Sequence, residues 1–238
     1  MKLKQKKIVI FSISILMVVL ITFLICFFCI HVPNIKKTKE QQRLIKEYYD
    51  NKLSLYQEEN EKYKDYEVDV AFLGDSLTDG YNLEEYYPNY VVSNRGIGGE
   101  TTQGLEDRLK VSVYDLKPKV VVMLIGGNNL KTMFDNYEDI LIGLRDNLPN
   151  TKVILLSLTA MGQDWVYKNE IACLNNVKIN LLAQKYGYTF VDLFTPLFDI
   201  DKNKIYSDYT TDGVHFTSKG YEVVTSLIAP VLENFLED

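Results

Sequence analysis

Two nearly unbroken apolar runs, Val120–Ile125 and Val153–Leu158, constrain what this chain can fold into more than any other feature. A strand with one wet face alternates apolar and polar residues. Runs this continuous, rich in Val, Ile and Leu, belong to parallel strands covered on both faces by helices. Shorter runs at Val68–Leu73, Tyr90–Val92 and Thr189–Leu193 read as three further strands. The amphipathic stretches Thr102–Tyr114, Asn136–Asn147 and Lys168–Tyr186 read as the intervening helices. Lys219–Leu236 reads as a closing helix that Pro230 should kink or make less regular. The alternation predicts an α/β fold, a doubly wound three-layer sandwich around a mostly parallel five-stranded sheet. Ligands of such sheets bind beyond the carboxyl ends of the strands, so the residues following each strand are the ones to inspect.

Ahead of this body, Ile8–Ile30 carries no charged residue, and only Ser12, Ser14 and Thr22 are polar. As a helix the run is roughly 35 Å long, enough to cross a hydrocarbon core of about 30 Å. A cleaved signal peptide has a shorter apolar region followed by small residues, whereas Phe27-Phe28-Cys29-Ile30-His31 is bulky. Residues 1–34 are therefore expected to be one uncleaved transmembrane anchor. Ile25 and Phe28, just before the two cysteines, are too large for a lipid-modified cysteine. Lys2, Lys4, Lys6 and Lys7 flank one end closely; Lys36, Lys37, Lys39 and Arg43 flank the other more loosely. The tighter cluster favours the N-terminus inside the cell membrane and the body outside. Residues 35–66 are rich in Lys, Glu, Gln and Tyr and lack Gly and Pro, which predicts a helical stalk. Tyr49, Tyr56 and Tyr63 recur every seven residues, as one stripe packing on the domain; a coiled-coil dimer needs a steadier heptad. The domain proper is expected over 67–238.

The chain has 238 residues, a net charge of −6 and 47% hydrophobic residues, enough for one ordinary domain with an appendage. Residues 46–238 hold 18 basic against 31 acidic side chains, a net −13 that repels phosphate backbones and argues against nucleic acid as a partner. Cys26 and Cys29 lie in the apolar run and Cys173 stands alone in the body, which excludes a disulfide scaffold and a cysteine-rich zinc site. Of the two histidines, His31 falls at the expected membrane boundary, so histidine chemistry in the body rests on His215.

Four clusters sit at predicted strand ends. Gly74-Asp75-Ser76-Leu77 can present a serine hydroxyl at the sheet edge, or serve as an ordinary helix cap. Asn94-Arg95-Gly96-Ile97-Gly98-Gly99-Glu100-Thr101 lets backbone N–H groups approach a ligand, or simply turns. It follows the wrong strand, and has the wrong spacing, for a dinucleotide fingerprint. Gly126-Gly127-Asn128-Asn129 places two amides beyond the third strand, where turn chemistry alone would also favour Asn. Asp212-Gly213-Val214-His215 sets a carboxylate three residues before the histidine, where it can hold the ring or merely cap the last helix.

Serine is a poor nucleophile at neutral pH and needs a base, for which His215 is the available histidine in the body. Asp212 is the nearest carboxylate able to fix its tautomer. Together and in this order, the clusters resemble the SGNH, or GDSL-type, hydrolase family of esterases and lipases. The resemblance covers about Val68–Pro230, and Gly96–Gln103 is most similar to the platelet-activating-factor acetylhydrolase-like branch. It implies a flavodoxin-like sandwich, with Ser76 as nucleophile and Asp212 and His215 completing a triad. It also implies an oxyanion hole from Ser76, Gly99 and Asn128, with neither metal nor cofactor. One departure is Asn129, where the family often has Asp.

The leading expectation is thus a membrane-anchored ester hydrolase removing acetyl or other short acyl groups from a small-molecule, glycan or lipid ester. An O-acyltransferase using the same triad is the alternative, and an inactive cell-surface binding module is disfavoured by four intact clusters. The loop Met161–Tyr167, with the sole tryptophan Trp165, either lines the acyl or acceptor pocket or packs as structure.

Overall fold

The computed structural model of the protein describes residues 2–27 and 32–237. The chain divides into two compact units, Met1–Asn51 and Lys52–Asp238. The first holds helix α1 (Lys2–Cys26) and the greater part of α2 (Val32–Asn60). There Arg43 pairs one turn away with Glu40 at 2.6 Å and Glu47 at 3.2 Å, exposed contacts that support an isolated helix by a few tenths of a kcal/mol. The apolar run expected to span a membrane supplies most of α1, but its end, Phe28–Ile30, lies outside the described residues, as does His31. Among the described residues no helix is long and apolar enough to cross a membrane. The spanning helix expected from the sequence is therefore not found among them.

In chain order the second unit continues with β1 (Val70–Gly74), α3 (Ser76–Asp79), α4 (Leu83–Tyr86), β2 (Val92–Gly96), α5 (Thr102–Asp107) and β3 (Val120–Leu124). It goes on through α6 (Tyr137–Asn147), β4 (Lys152–Leu156), α7 (Asn169–Tyr186), β5 (Thr189–Val191), α8 (Phe194–Leu197), β6 (Phe198–Asp199), β7 (Lys204–Ile205) and α9 (Ser218–Leu236). Strands β1 to β5 form one parallel sheet in the order β2-β1-β3-β4-β5. Every residue of β1 and β3 is buried, as the unbroken apolar runs require. The strand order reverses direction after β2, which places helices on both faces. On one side α6 packs on both α5 and α7. On the other, Tyr221 and Val224 of α9 share a small void with Phe72, Val122 and Leu156. The reversal leaves a crevice at the carboxyl ends of β1 and β3, the topological switch point.

Two elements depart from expectation. β2 runs to Gly96 rather than ending at Val92, because polar Ser93 and Arg95 are both buried and Arg95 Nε donates to Ser93 Oγ at 2.6 Å. The helix expected over Thr102–Tyr114 breaks at Arg108 and resumes as a π-helical turn, Lys110–Tyr114. α9 forms the closing helix as expected and runs through Pro230; Pro230 and Ser226 are both exposed, so the lost hydrogen bond falls on the solvent side. The pair β6–β7 has two residues per strand, too short for a sequence pattern.

The last turns of α2, expected as stalk, belong to the second unit. Tyr56 is 3% exposed, and its hydroxyl donates to the Gly96 carbonyl at 2.6 Å. Tyr63 packs on Val68, Ala71 and Leu116, as the tyrosine stripe predicts. At Gly96 a side chain would collide with the backbone of Thr78 and Asp79, so glycine here allows α3 to lie directly against β2.

Candidate active site

Ser76 opens α3 immediately beyond β1, on the β1 side of the crevice. Asp75 caps that short helix, its Oδ1 accepting from the Leu77 N–H at 3.1 Å. The capping and presenting readings of Gly74-Asp75-Ser76-Leu77 therefore both hold, for different residues. Asp75 is only 5% exposed, and burial pushes its carboxyl up to about 6, against the Leu77 hydrogen bond and the nearby His215.

Asp212 and His215 reach the same crevice on the loop before α9. Asp212 Oδ1 accepts from the backbone N–H groups of Val214 at 3.0 Å and His215 at 2.8 Å. Its Oδ2 lies 2.7 Å from His215 Nδ1. Burial raises this carboxyl, but the hydrogen bonds from the His215 ring, His215 N–H and Val214 N–H outweigh it and hold the group at about 2. An ionised carboxylate only accepts, so Nδ1 carries the proton and Nε2 is left to accept from the Ser76 hydroxyl at 3.0 Å. The loop is pinned from both sides: Gly162 N–H donates to Gly213 O at 2.7 Å, and Thr211 N–H to His215 O at 2.9 Å.

Asn128 stands at the carboxyl end of β3 and donates through Nδ2 to Glu100 O at 2.8 Å, with Asp75 Oδ2 3.5 Å away. Gly99 itself is exposed at φ +78°, a left-handed conformation suited to glycine. It does not border the pocket beside Ser76; its tie to that pocket is the next residue, Glu100, whose carbonyl holds Asn128. The structure thus brings together Ser76, Asp212, His215 and Asn128, and leaves Gly99 at the edge. The pocket they border measures about 150 Å³ and is closed by Leu124, Leu158, Met161 and Trp165 among others. Trp165 is therefore a pocket residue. A wider groove of about 660 Å³ adjoins it, sharing Asn128 and Lys168 and bordered by Tyr167 and Leu174. A serine, an imidazole and an ionised carboxylate in hydrogen-bonded series, beside an amide donor, can perform acyl transfer.

Residues 72–223 match the GDSL-like lipase/acylhydrolase family. The chain belongs to that family. The GDSL-like protein is accordingly a carboxylic ester hydrolase. A GDSL-like lipase from Bacteroides thetaiotaomicron VPI-5482 is 26% identical, with a TM-score of 0.68 over 77% of this chain and 98% of its own. A protein from Streptococcus pneumonia, provisionally described as a platelet activating factor, is 23% identical, with a TM-score of 0.67 over 83% and 98% of the two chains. The acetylxylan esterase Axe2 from Geobacillus stearothermophilus is 19% identical, with a TM-score of 0.58 over 71% and 95%. The last two show a shared fold. No curated protein matches the chain.

Two features of this GDSL-like hydrolase were not legible as site residues. Asn129, the departure from the family pattern, has a job its amide can do: Oδ1 accepts from Thr102 N–H at 3.3 Å and Nδ2 donates to Thr102 Oγ1 at 2.9 Å. A carboxylate here could keep both contacts only with the second reversed, the Thr102 hydroxyl then donating. Behind the glycine loop, Arg108 and Arg95 are almost wholly buried, and Arg108 pairs with Glu100 at 2.9 Å. A signal for Arg108 existed, since it falls on the buried stripe of Leu105, Leu109 and Val113.

Proposed function

We propose that the protein is a membrane-anchored serine esterase that removes acetyl or other short acyl groups, its body outside the cell. The observation that carries the chemistry is the hydrogen-bonded series Asp212–His215–Ser76 opening on a 150 Å³ pocket. Ser76 Oγ attacks the ester carbonyl while its proton passes to His215 Nε2. The resulting imidazolium is stabilised by Asp212 through Nδ1–H. The oxyanion is met by the N–H of Ser76, by the N–H of Gly99 from the edge of the pocket, and by the Nδ2–H of Asn128 that otherwise makes only the long 3.5 Å bond to Asp75 Oδ2, the other being committed to Glu100. Collapse expels the alcohol, which takes the proton from His215. Water then repeats the sequence on the acyl-serine, releasing the acid and restoring Ser76. A pocket of this size suits an acetyl or similarly short group, and the open groove beside it gives the alcohol room. That division favours a small acyl group on a larger alcohol such as a glycan or lipid.

The test is steady-state hydrolysis by purified protein and its variants. Ser76→Ala and His215→Ala should each fall to near background, since nucleophile and base act as one unit. Asn128→Ala should lose about 10²–10³ in kcat with KM little changed. Rates on p-nitrophenyl esters should peak at acetyl or butyryl. Near-normal turnover in folded His215→Ala, or rates climbing steadily with chain length, would refute the mechanism or the short-acyl reading respectively.

A further inference from the structure

We infer that Arg108 is a positioning residue for the oxyanion hole, holding in register the separate backbone segments that present its donors. The inference rests on the assignment of Ser76, Gly99 and Asn128 made above. Arg108 touches none of the reacting atoms. Its guanidinium is instead spent on the chain on either side of them. Nη2 donates to the carbonyl of Gly74, two residues before Ser76, at 3.1 Å. Nη1 donates to the carbonyl of Arg95, where β2 gives way to the glycine loop, at 3.0 Å, and to Ser112 Oγ at 2.8 Å. Nε donates to the Glu100 carboxylate at 2.9 Å. Glu100 directly follows Gly99, and its own carbonyl accepts the Asn128 amide at 2.8 Å. One planar fork thus reaches the segment of each donor: the end of β1, both sides of the glycine loop, and through Glu100 the loop after β3.

The chemistry of the group suits that task and little else. At 2% exposure a cation needs a hydrogen-bonded counter-charge, which Glu100 supplies. A lysine could satisfy Glu100 but could not span the Gly74 and Arg95 carbonyls in fixed directions, because only guanidinium presents a rigid fork. A scaffold that needed only a filled core would place an apolar residue between Leu105 and Leu109. The cost of misplacing donors is kinetic: a displacement of about 1 Å in a catalytic group costs about 10²-fold.

The experiment uses the full-length protein in detergent micelles, with sites counted by a fluorophosphonate so that kcat refers to competent enzyme. Variants are Arg108→Lys, Ser112→Ala, which frees one bond to Nη1 without removing the cation, and Ser76→Ala as control. We expect Arg108→Lys to lower kcat for p-nitrophenyl acetate by about 30–100-fold and Ser112→Ala by about 3–10-fold, each with KM within about twofold of wild type. If Arg108→Lys fails to fold, Ser112→Ala decides alone. Unchanged kcat per titrated site in a folded variant, or a change confined to KM, overturns the positioning role while a dead Ser76→Ala keeps the mechanism. Retained activity in Ser76→Ala overturns the mechanism, and the inference with it.

Discussion

At the scale of single residues, Asp75 is the group with the most to reveal. Its carboxyl is buried beside Ser76, and its carboxyl is raised from 3.8 to about 6 chiefly by loss of water, with Glu100 adding to the rise. A folded pKa above the unfolded one means the native state binds the extra proton between about pH 4 and 6. Stability should therefore fall as pH rises through that window and stay flat above it. Asp75→Asn keeps an acceptor for the Leu77 N–H and has no charge to desolvate. We expect the variant to be the more stable protein at pH 7.5, by at most about 3 kcal/mol, and nearly equal to wild type below pH 4. Urea melts of both at pH 3.5, 5 and 7.5 check this, and a difference independent of pH would contradict it. Asp212 behaves oppositely. Held at about 2, it stays ionised across the working range, so the acid limb of the activity profile is not its titration.

At the scale of elements, the last turns of α2 are part of the enzyme rather than its tether. Arg95 is wholly buried, which pushes its guanidinium below its ordinary range, and Glu59 opposes that shift from 3.2 Å. Arg95 Nη1 also donates to the Tyr56 carbonyl at 3.1 Å, and its guanidinium lies 4.8 Å over the Tyr56 ring. Lys52 pairs with Asp79 at the end of α3, and Asn60 Nδ2 donates to Val111 O at 2.7 Å. A chain beginning at residue 67 strips these partners and leaves a buried cation uncompensated, a loss on the order of 3–5 kcal/mol. It should be recovered insoluble or melt far below a chain beginning at residue 48, with Tyr56→Phe in the longer chain costing about 1–3 kcal/mol for the orphaned Gly96 carbonyl. Equal melts for the two chains would show that the segment is only appended.

At the scale of the molecule, the proposed anchor and the acidic body imply a particular cellular arrangement. Full-length protein should remain with membranes after carbonate washing. Protease added to intact cells should digest the body, since the tighter lysine cluster precedes the apolar run. Release by carbonate would remove the anchor, and protection from protease would reverse its orientation.

Local chemistry explains why so much of the sheet and of the candidate site could be read from the chain alone. Unbroken apolar runs specify buried parallel strands, and Asp212-Gly213-Val214-His215 closes its hydrogen bonds within four residues, whatever the rest of the chain does. Ser76 and Asn128 were likewise legible because strand ends are where an α/β sheet exposes its backbone. What the tertiary structure alone decided depends on contacts between distant segments. The break at Arg108, the extension of β2 through Arg95, the membership of Tyr56 in the domain and the bond from Asn129 to Thr102 all join residues 8 to 40 apart in sequence. A charged side chain in a helix reads as solvated until a partner removes it from water, and no hydrophobic periodicity records which partner that is. The sequence therefore determined the sheet and the side chains proposed to react; only folding determined the buried ion pairs and carbonyl contacts behind them, because their free energy lies in desolvated, long-range geometry.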